Sequence, residues 1–319
     1  MWVALLIIPG VALLLGGAEW LVEGASAIAK RYGVKSLVIG LTVVAFGTST
    51  PELVVSIFSC LKECGDITMG NIIGSNIANI LLVLGVASII FPLNVQHGTV
   101  WREIPFALLA VVAMALVVSD VVLDGSDAAF LTRSDGLLLL SFLAIFLYYT
   151  FIIRKTEAAD PQVVPVHHMP LRRAIPMVVV GIVGLTLGGT WVVDGALAIT
   201  QLFGVSQALV GITLIAIGTS LPELMTSVVA ARKHDVDMAV GNAIGSNIFN
   251  VFWILGLSSQ IRPIAFSQVL MIDVAVAIGA TVLLFFVMFI GKRHRLERSQ
   301  GIFFVVLYML YLVFLVWRG

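Results

Sequence analysis

Charge is scarce in this sequence: 11% of its 319 residues are charged and 60% are hydrophobic. Soluble domains carry about 25% charged residues, so the composition excludes a soluble globular protein and predicts an integral membrane protein with little mass outside the bilayer. No lysine or arginine precedes Lys30. This excludes the basic start of a signal peptide, and we interpret the first apolar run as a membrane span. The net charge of zero gives no sign of nucleic-acid binding, and no such partner is expected.

Cysteine and histidine are also rare. Cys60 and Cys64 lie four residues apart near a helix end, where a disulfide is geometrically poor, so they are predicted to be packing thiols. All five histidines fall in predicted loops. The spans therefore offer no histidine for a zinc, copper or iron site and no Ser/His/Asp centre for a hydrolase. We expect neither an enzyme nor a resident cofactor.

What the chain does contain is an internal duplication. Residues 40–85 align without a gap with residues 211–256 at an offset of 171 positions, with 22 identities in the 46 aligned pairs. Each copy carries the motifs G-T-S-x-P-E and G-N-x-x-G-S-N. Self-similarity at a fixed offset indicates that the whole chain is built from two repeats.

Apolar runs separated by charges, proline or glycine predict ten membrane spans, five in each repeat. The predicted spans are approximately 2–29, 36–61, 67–90, 101–119, 136–153, 174–200, 207–231, 238–260, 267–290 and 301–317. The domain prediction is a first repeat over 1–153, a cytoplasmic linker over 154–173 and a second repeat over 174–319.

An odd number of spans in each repeat turns the second copy upside down relative to the first. With both termini outside, the predicted inner loops hold 14 Lys and Arg residues and the outer side holds 4, as the positive-inside rule requires. The sequence therefore predicts an all-α protein of ten spans in two inverted repeats, the architecture of secondary transporters. We expect it in a prokaryotic plasma membrane, with both termini extracytoplasmic.

An acidic residue lies near the centre of the second and the seventh span. A buried charge costs at least about 2.5 kcal/mol at that depth, so Glu52 and Glu223 should face protein, water or a cation. Pro51 and Pro222 precede them and cannot complete the helical hydrogen bonds, so both spans are predicted to be broken near the midplane. If the inverted copies face one another, the two glutamates converge on one site.

Amides and hydroxyls accompany these carboxylates. In the third and eighth spans, a polar residue recurs every four positions on one helix stripe: Asn71, Ser75 and Asn79 in the first copy, and Asn242, Ser246 and Asn250 in the second. Oxygen ligands of this kind suit Na⁺, Ca²⁺ or Mg²⁺, and an irregular site favours Ca²⁺, which accepts about 6–8 oxygens. The small pairs Gly70/Gly74 and Gly241/Gly245 predict close approach to the broken helices.

Charge counting predicts the mechanism. Two ionised glutamates give a charge of −2, which one Ca²⁺ neutralises and three Na⁺ exceed by one. An exchange of three Na⁺ for one Ca²⁺ would therefore move one net charge, worth about 2.3 kcal/mol per 100 mV.

The two motifs resemble those of the calcium/cation antiporter superfamily, most closely the sodium/calcium exchangers of bacterial or archaeal type. The resemblance implies that the first and sixth spans slide together past the others. It implies calcium binding by the two glutamates and by the backbone carbonyls of Thr48 and Thr219, with Asn79 and Asn250 completing the central site. It implies one group of sodium ligands from Ala45, Thr48, Ser49 and Ser246, and a second from Ala216, Thr219, Ser220 and Ser75.

Departures from relatives refine this expectation. Potassium-dependent members have acidic residues at the position of Asn250 and aspartate at that of Glu223, so this chain resembles the potassium-independent branch. Proton-coupled members carry a glutamate in the Gly-Asn segment, which is absent here. A linker of about 20 residues leaves no room for a calcium-sensing domain. The expected partners are Na⁺, Ca²⁺ and the bilayer, without an obligatory protein.

Two alternatives stay open: a proton-coupled cation exchanger and, from another class, a cation channel using the same carboxylates. Three further acids lie in the first and sixth spans. Glu19 is expected to lie in the cation pathway. For Glu23 and its counterpart Asp194, a place on the access routes and an ion pair with a basic loop residue are both open.

Overall fold

Helices make up most of the described chain. The structure, a computed structural model, describes residues 6–62, 65–123, 125–153, 169–202 and 218–318. Eight of its helices are long and apolar enough to cross a membrane, or nine if one bent pair counts as a span. The prediction of a mostly helical membrane protein is confirmed.

The main helices end within a few residues of the predicted spans. They are α1 (Ile7–Tyr32), α2 (Ser36–Thr48), α3 (Thr50–Leu61), α4 (Gly65–Ile90), α5 (Thr99–Val117), α6 (Arg133–Phe151), α7 (Leu171–Leu202), α8 (Leu221–Arg232), α9 (Val236–Ile261), α10 (Gln268–Val287) and α11 (Arg298–Arg318). Part of the seventh predicted span, 207–217, lies outside the described residues. The count of ten spans therefore stays a prediction.

The second predicted span is broken. Helices α2 and α3 meet at an angle of 44°, with Ser49 at the bend and Pro51 in the first turn of α3. Proline has no N–H to continue the helical ladder, so the bend follows from the sequence. The Thr50 hydroxyl donates to the Phe46 carbonyl at 3.2 Å, which gives a backbone oxygen beside the break a partner.

Helix α8 begins in the same conformation. Ser220 precedes it with φ −84° and ψ 1°, and Ser49 precedes α3 with φ −79° and ψ 7°. Pro222 lies in the first turn of α8 as Pro51 does in α3. The two copies of the G-T-S-x-P-E motif thus start their helices alike and aim Glu52 and Glu223 from equivalent positions.

Two helices form the centre of the molecule. In an apolar 18-residue stretch of each helix, the buried share is 94% in α9 and 78% in α4, against 17% in α11. Each central helix contains a stretch of π-helix, Asn79–Val83 in α4 and Asn250–Leu255 in α9. The sequence analysis did not predict these wider turns. They begin at the two candidate asparagines, so the duplication extends to local backbone geometry.

Short antiparallel strands join loops from the two halves of the chain. β1 (Leu93–Asn94) pairs with β4 (Arg295–Leu296), and β2 (Ala129–Leu131) pairs with β3 (Ile264–Phe266). Strands of two or three residues are too short to show an alternating apolar pattern and therefore cannot be predicted from the sequence. They connect the loops of one half to those of the other.

Helices α1 and α7 pack with their backbones almost in contact. A Cβ added to Gly17 would lie 2.9 Å from the carbonyl oxygen of Gly181, and one added to Gly181 would lie 2.8 Å from that of Gly17. The same close packing recurs seven residues away on either side. Small residues at heptad spacing therefore hold these two helices together along their length.

Candidate cation site

Four buried carboxylate and amide oxygens have no hydrogen-bond partner among the described residues. The side chains of Glu52, Glu223, Asn79 and Asn250 are 0–1% exposed. In each of them one oxygen is buried without a hydrogen-bond partner among the described residues: Oε2 of both glutamates and Oδ1 of both asparagines. An unsatisfied buried oxygen costs about 1–3 kcal/mol, more when charged, and a bound cation removes that cost. The four oxygens therefore fit a hard cation.

The other carboxylate oxygen of each glutamate accepts hydrogen bonds from hydroxyls. Oε1 of Glu223 accepts from Ser49 at 3.2 Å and from Ser246 at 3.4 Å, so one donor comes from each copy of the duplication. Oε1 of Glu52 accepts from Ser75 at 3.5 Å. These bonds orient each carboxylate so that its second oxygen is left for a ligand.

The threonines of the broken motifs connect the two copies. The Thr48 hydroxyl donates to Oδ1 of Asn242 at 3.0 Å, and the Thr219 hydroxyl donates to Oδ1 of Asn71 at 3.1 Å. Thr48 also lies 3.5 Å from the Ser246 hydroxyl, and Thr219 lies 3.4 Å from that of Ser75. The Thr48, Ser49 and Ser246 hydroxyls therefore lie in one network with Glu223, and the Thr219 and Ser75 hydroxyls lie in a second network with Glu52.

Asn71 and Asn242 bind the backbone carbonyls of the two glutamates. The Asn242 amide donates to the backbone carbonyl of Glu223 at 3.1 Å, and the Asn71 amide donates to that of Glu52 at 3.4 Å. The site prediction did not include these two asparagines, although their place on the polar stripe gave the signal. Each binds its own copy's glutamate segment and the other copy's threonine.

The comparison with protein families covers both copies of the duplication. The model of the sodium/calcium exchanger protein family matches residues 2–152 and 173–317. The chain belongs to the sodium/calcium exchanger family. That family consists of exchangers, which are transport proteins rather than enzymes.

Individual relatives match over most of their length. Inner membrane protein YrbG of Escherichia coli is 38% identical over 268 residues, which cover 81% of this chain and 79% of that protein. Sodium/calcium exchanger MaX1 of Methanosarcina acetivorans is 30% identical over 98% of this chain and 97% of its own. The solved structure of the sodium-calcium exchanger NCX_Mj soaked with 10 mM Na⁺ and 10 mM Sr²⁺ gives a TM-score of 0.81 at 33% identity, over 98% of both chains.

The remaining predicted ligands differ in how much of them the structure describes. Ala45 is buried, and its backbone carbonyl accepts from the Thr48 hydroxyl at 3.3 Å. Ser220 is 2% exposed, and its hydroxyl oxygen has no hydrogen-bond partner among the described residues. Ala216 lies outside the described residues. Ser220 therefore supplies a further buried polar atom without a partner, three residues before Glu223 in the chain.

A cavity of about 440 Å³ reaches Thr219, in the network of Glu52, from one end of the molecule. It lies between α3, α7 and the start of α8, with Thr219 and Pro222 among its lining residues. Asp194 and Lys62 also line it. Asp194 is thus placed in a passage leading to a hydroxyl of the site, as one of its two interpretations expects.

The counterpart of Asp194 has a different environment. Glu23 forms an ion pair with Lys233 at 3.7 Å, which is the other interpretation considered for it. Three residues along α1, the Ser26 hydroxyl donates to Asp235 at 3.0 Å. Both contacts join α1 to the loop between α8 and α9. Glu19 is exposed, and its predicted place in the cation pathway stays a prediction.

Proposed function

We propose that this chain is a secondary antiporter that exchanges Na⁺ for Ca²⁺ across the membrane by alternating access, electrogenically and independently of K⁺. The observation that carries the proposal is the group of four unpartnered buried oxygens from Glu52, Asn79, Glu223 and Asn250. They come from four helices and from both copies of the duplication, and they belong to an exchanger-family chain. Ten spans in two inverted repeats, with both termini outside, form part of the proposal.

The choice of Ca²⁺ rests on charge and ligand type. Glu52 and Glu223 supply −2 when ionised, and the amide oxygens of Asn79 and Asn250 add neutral ligands. Ca²⁺ accepts carboxylate and amide oxygens in irregular arrangements, whereas Mg²⁺ demands a near-ideal octahedron. The relative MaX1 is named a sodium/calcium exchanger, and the two buried carboxylates support the same cargo here.

The binding of Na⁺ in place of Ca²⁺ rests on the hydroxyls. Ser49, Ser246 and Ser75 each donate to a glutamate Oε1, and the Thr48 and Thr219 hydroxyls contact Ser246 and Ser75. A bound Na⁺ would use the oxygen atoms of these groups as ligands. Because the same carboxylates would serve both ions, Na⁺ and Ca²⁺ compete, and competition for one site couples their opposite movements.

Alternating access is supported by the unlike ends of the molecule. A cavity of about 440 Å³ leads to Thr219 from the end that carries Lys62, and α1 is bound to the α8–α9 loop at the end that carries Lys233. In a transporter built from inverted repeats, the open arrangement at one end and the closed arrangement at the other can change places. The structure then corresponds to a conformation open at the Lys62 end, which is the predicted outer side.

The test is ⁴⁵Ca²⁺ uptake by the purified chain in liposomes loaded with Na⁺. Uptake should require an outward Na⁺ gradient, be unaffected by K⁺, and increase when the interior is clamped positive, because three Na⁺ leaving for each Ca²⁺ carry one net positive charge outward. The double variant Glu52→Gln/Glu223→Gln is the negative control. Uptake driven by a pH gradient without Na⁺ would favour the proton-coupled alternative, and single-channel currents would favour a channel. Uptake independent of voltage would exclude the electrogenic stoichiometry.

A further inference from the structure

Two buried asparagines outside the predicted site form a reciprocal pair between the central helices. The Asn76 amide donates to the backbone carbonyl of Asn247 at 3.4 Å, and the Asn247 amide donates to that of Asn76 at 3.2 Å. Both residues are 1% exposed. Asn76 lies on α4 and Asn247 on α9, 171 residues apart, so the pair joins equivalent positions of the two copies.

The side-chain oxygens of this pair bind the two asparagines of the cation site. Asn79 donates its amide N–H to Oδ1 of Asn247 at 3.0 Å, and Asn250 donates to Oδ1 of Asn76 at the same distance. The bonds are crossed, since each residue of the pair holds the site asparagine of the opposite copy. Oδ1 of Asn79 and of Asn250 is left without a partner.

The direction of these bonds matters because an amide has two unlike ends. A primary amide turned by half a rotation puts its N–H₂ group where its oxygen was, and an N–H group repels a cation. The backbone of α4 and α9 does not select between the two orientations. The acceptor oxygens of Asn247 and Asn76 do, because they can bond to the N–H₂ end and not to the oxygen end.

We propose that Asn76 and Asn247 are positioning residues, which hold the amides of Asn250 and Asn79 with their oxygens towards the cation. The inference rests on the proposed function, since it takes the cation to be Ca²⁺. It also gives a role to the second asparagine of the G-N-x-x-G-S-N motif in each copy. Neither residue needs to touch the ion, because each acts through its partner in the other repeat.

The first part of the test is the pair of variants Asn76→Ala and Asn247→Ala. Each should raise the KM for Ca²⁺ in liposomes by about fivefold to tenfold, the size of one lost hydrogen bond, with a smaller change in kcat. The rise in Tm that Ca²⁺ causes in detergent should shift to higher Ca²⁺ concentration by the same factor. If an alanine variant does not fold, Asn76→Ser and Asn247→Ser replace it, because serine is too short to hold the distant amide.

The decisive part is rescue by a symmetric ligand. Aspartate has two equivalent carboxylate oxygens and needs no selection between ends. Adding Asn76→Ala to Asn250→Asp should therefore change the KM for Ca²⁺ less than twofold relative to Asn250→Asp alone. The crossed bonds provide a matched control: Asn250→Asp should not rescue Asn247→Ala, whereas Asn79→Asp should.

An equal loss of Ca²⁺ affinity in the asparagine and aspartate backgrounds would overturn the inference, since a purely structural role acts alike in both. Unchanged KM in both alanine variants would overturn it as well. Failure of the proposed function is distinguishable, because the wild-type chain would then show neither Ca²⁺-dependent stabilisation nor Na⁺-driven uptake.

Discussion

The two copies of the duplicated segment share their motifs but not all their contacts. Oε1 of Glu223 accepts from Ser49 and Ser246. At the equivalent position of the other copy, the Ser220 hydroxyl has no partner among the described residues. The difference lies on the side where the cavity reaches Thr219. Under the proposed alternating access, these unequal contacts in equal sequences would mark the open end of the molecule.

The largest expected effect tests what the copies share. Glu52→Gln and Glu223→Gln should each lower Ca²⁺ uptake by about 100-fold or more, because removing one charge beside a divalent cation costs several kcal/mol. Uptake of ⁴⁵Ca²⁺ in liposomes measures this. Glu103→Gln is the matched control, since Glu103 is equally buried but bonds to Tyr149 away from the site. A strong effect of one glutamate alone would contradict a shared site.

A second prediction concerns the glycines of the polar stripe. A Cβ at Gly241 would lie 2.8 Å from the backbone oxygen of Leu37, whereas one at Gly70 would meet no described residue within 4 Å. The predicted close approach therefore holds for Gly241, whereas that of Gly70 to the seventh span stays a prediction, because 203–217 lie outside the described residues. Gly241→Ala should destabilise the protein by about 1–3 kcal/mol through overpacking. Gly70→Ala should leave Tm unchanged or slightly raised, and equal losses would refute the difference.

A third comparison separates the two serines. Ser49→Ala removes a donor to Glu223 and should raise the KM for Ca²⁺ by about tenfold, the value of one hydrogen bond to a charged group at its lower end. Ser220→Ala removes no hydrogen bond among the described residues. It should alter the Na⁺ dependence of exchange, as the proposed sodium ligation requires, with a smaller effect on Ca²⁺. Competition curves at several Na⁺ concentrations distinguish the two.

The smallest expected effects concern the acids near the two ends. Glu23 and Lys233 are 49% and 41% exposed at their side chains, and such pairs contribute little. Glu23→Gln should therefore change the KM for Ca²⁺ by about twofold at most, and less at high salt.

Asp194→Asn should raise the KM for Ca²⁺ at the face onto which the cavity opens more than the KM at the opposite face. Assays on right-side-out and inside-out vesicles check this, and identical results from both faces would contradict it.

The local motifs predicted the elements of the candidate site and not their mutual contacts. Proline at position 51 predicts the bend between α2 and α3, and four-residue spacing places Asn71, Ser75 and Asn79 on one stripe. The π-helical turns at Asn79 and Asn250 leave no trace in composition or periodicity, because they depend on how α4 and α9 pack. The strands are also absent from the prediction, because two or three residues are too few to show a periodic pattern.

The roles of Asn76 and Asn247 were missed for a physical reason too. Both lie off the polar stripe, where helix packing explains them equally well. Their crossed bonds join residues 168 to 174 positions apart in the chain, and such distances are set by tertiary packing. The sequence indicates a partner for a buried amide without indicating which one.

The glycine contact between α1 and α7 restricts how these helices can travel. The two backbones almost touch at Gly17 and Gly181, and the Val192 and Val178 side chains lie against Gly10 and Gly24, so the two helices interlock along their length. A displacement of one helix therefore carries the other with it, so a label on either helix would report the movement of both.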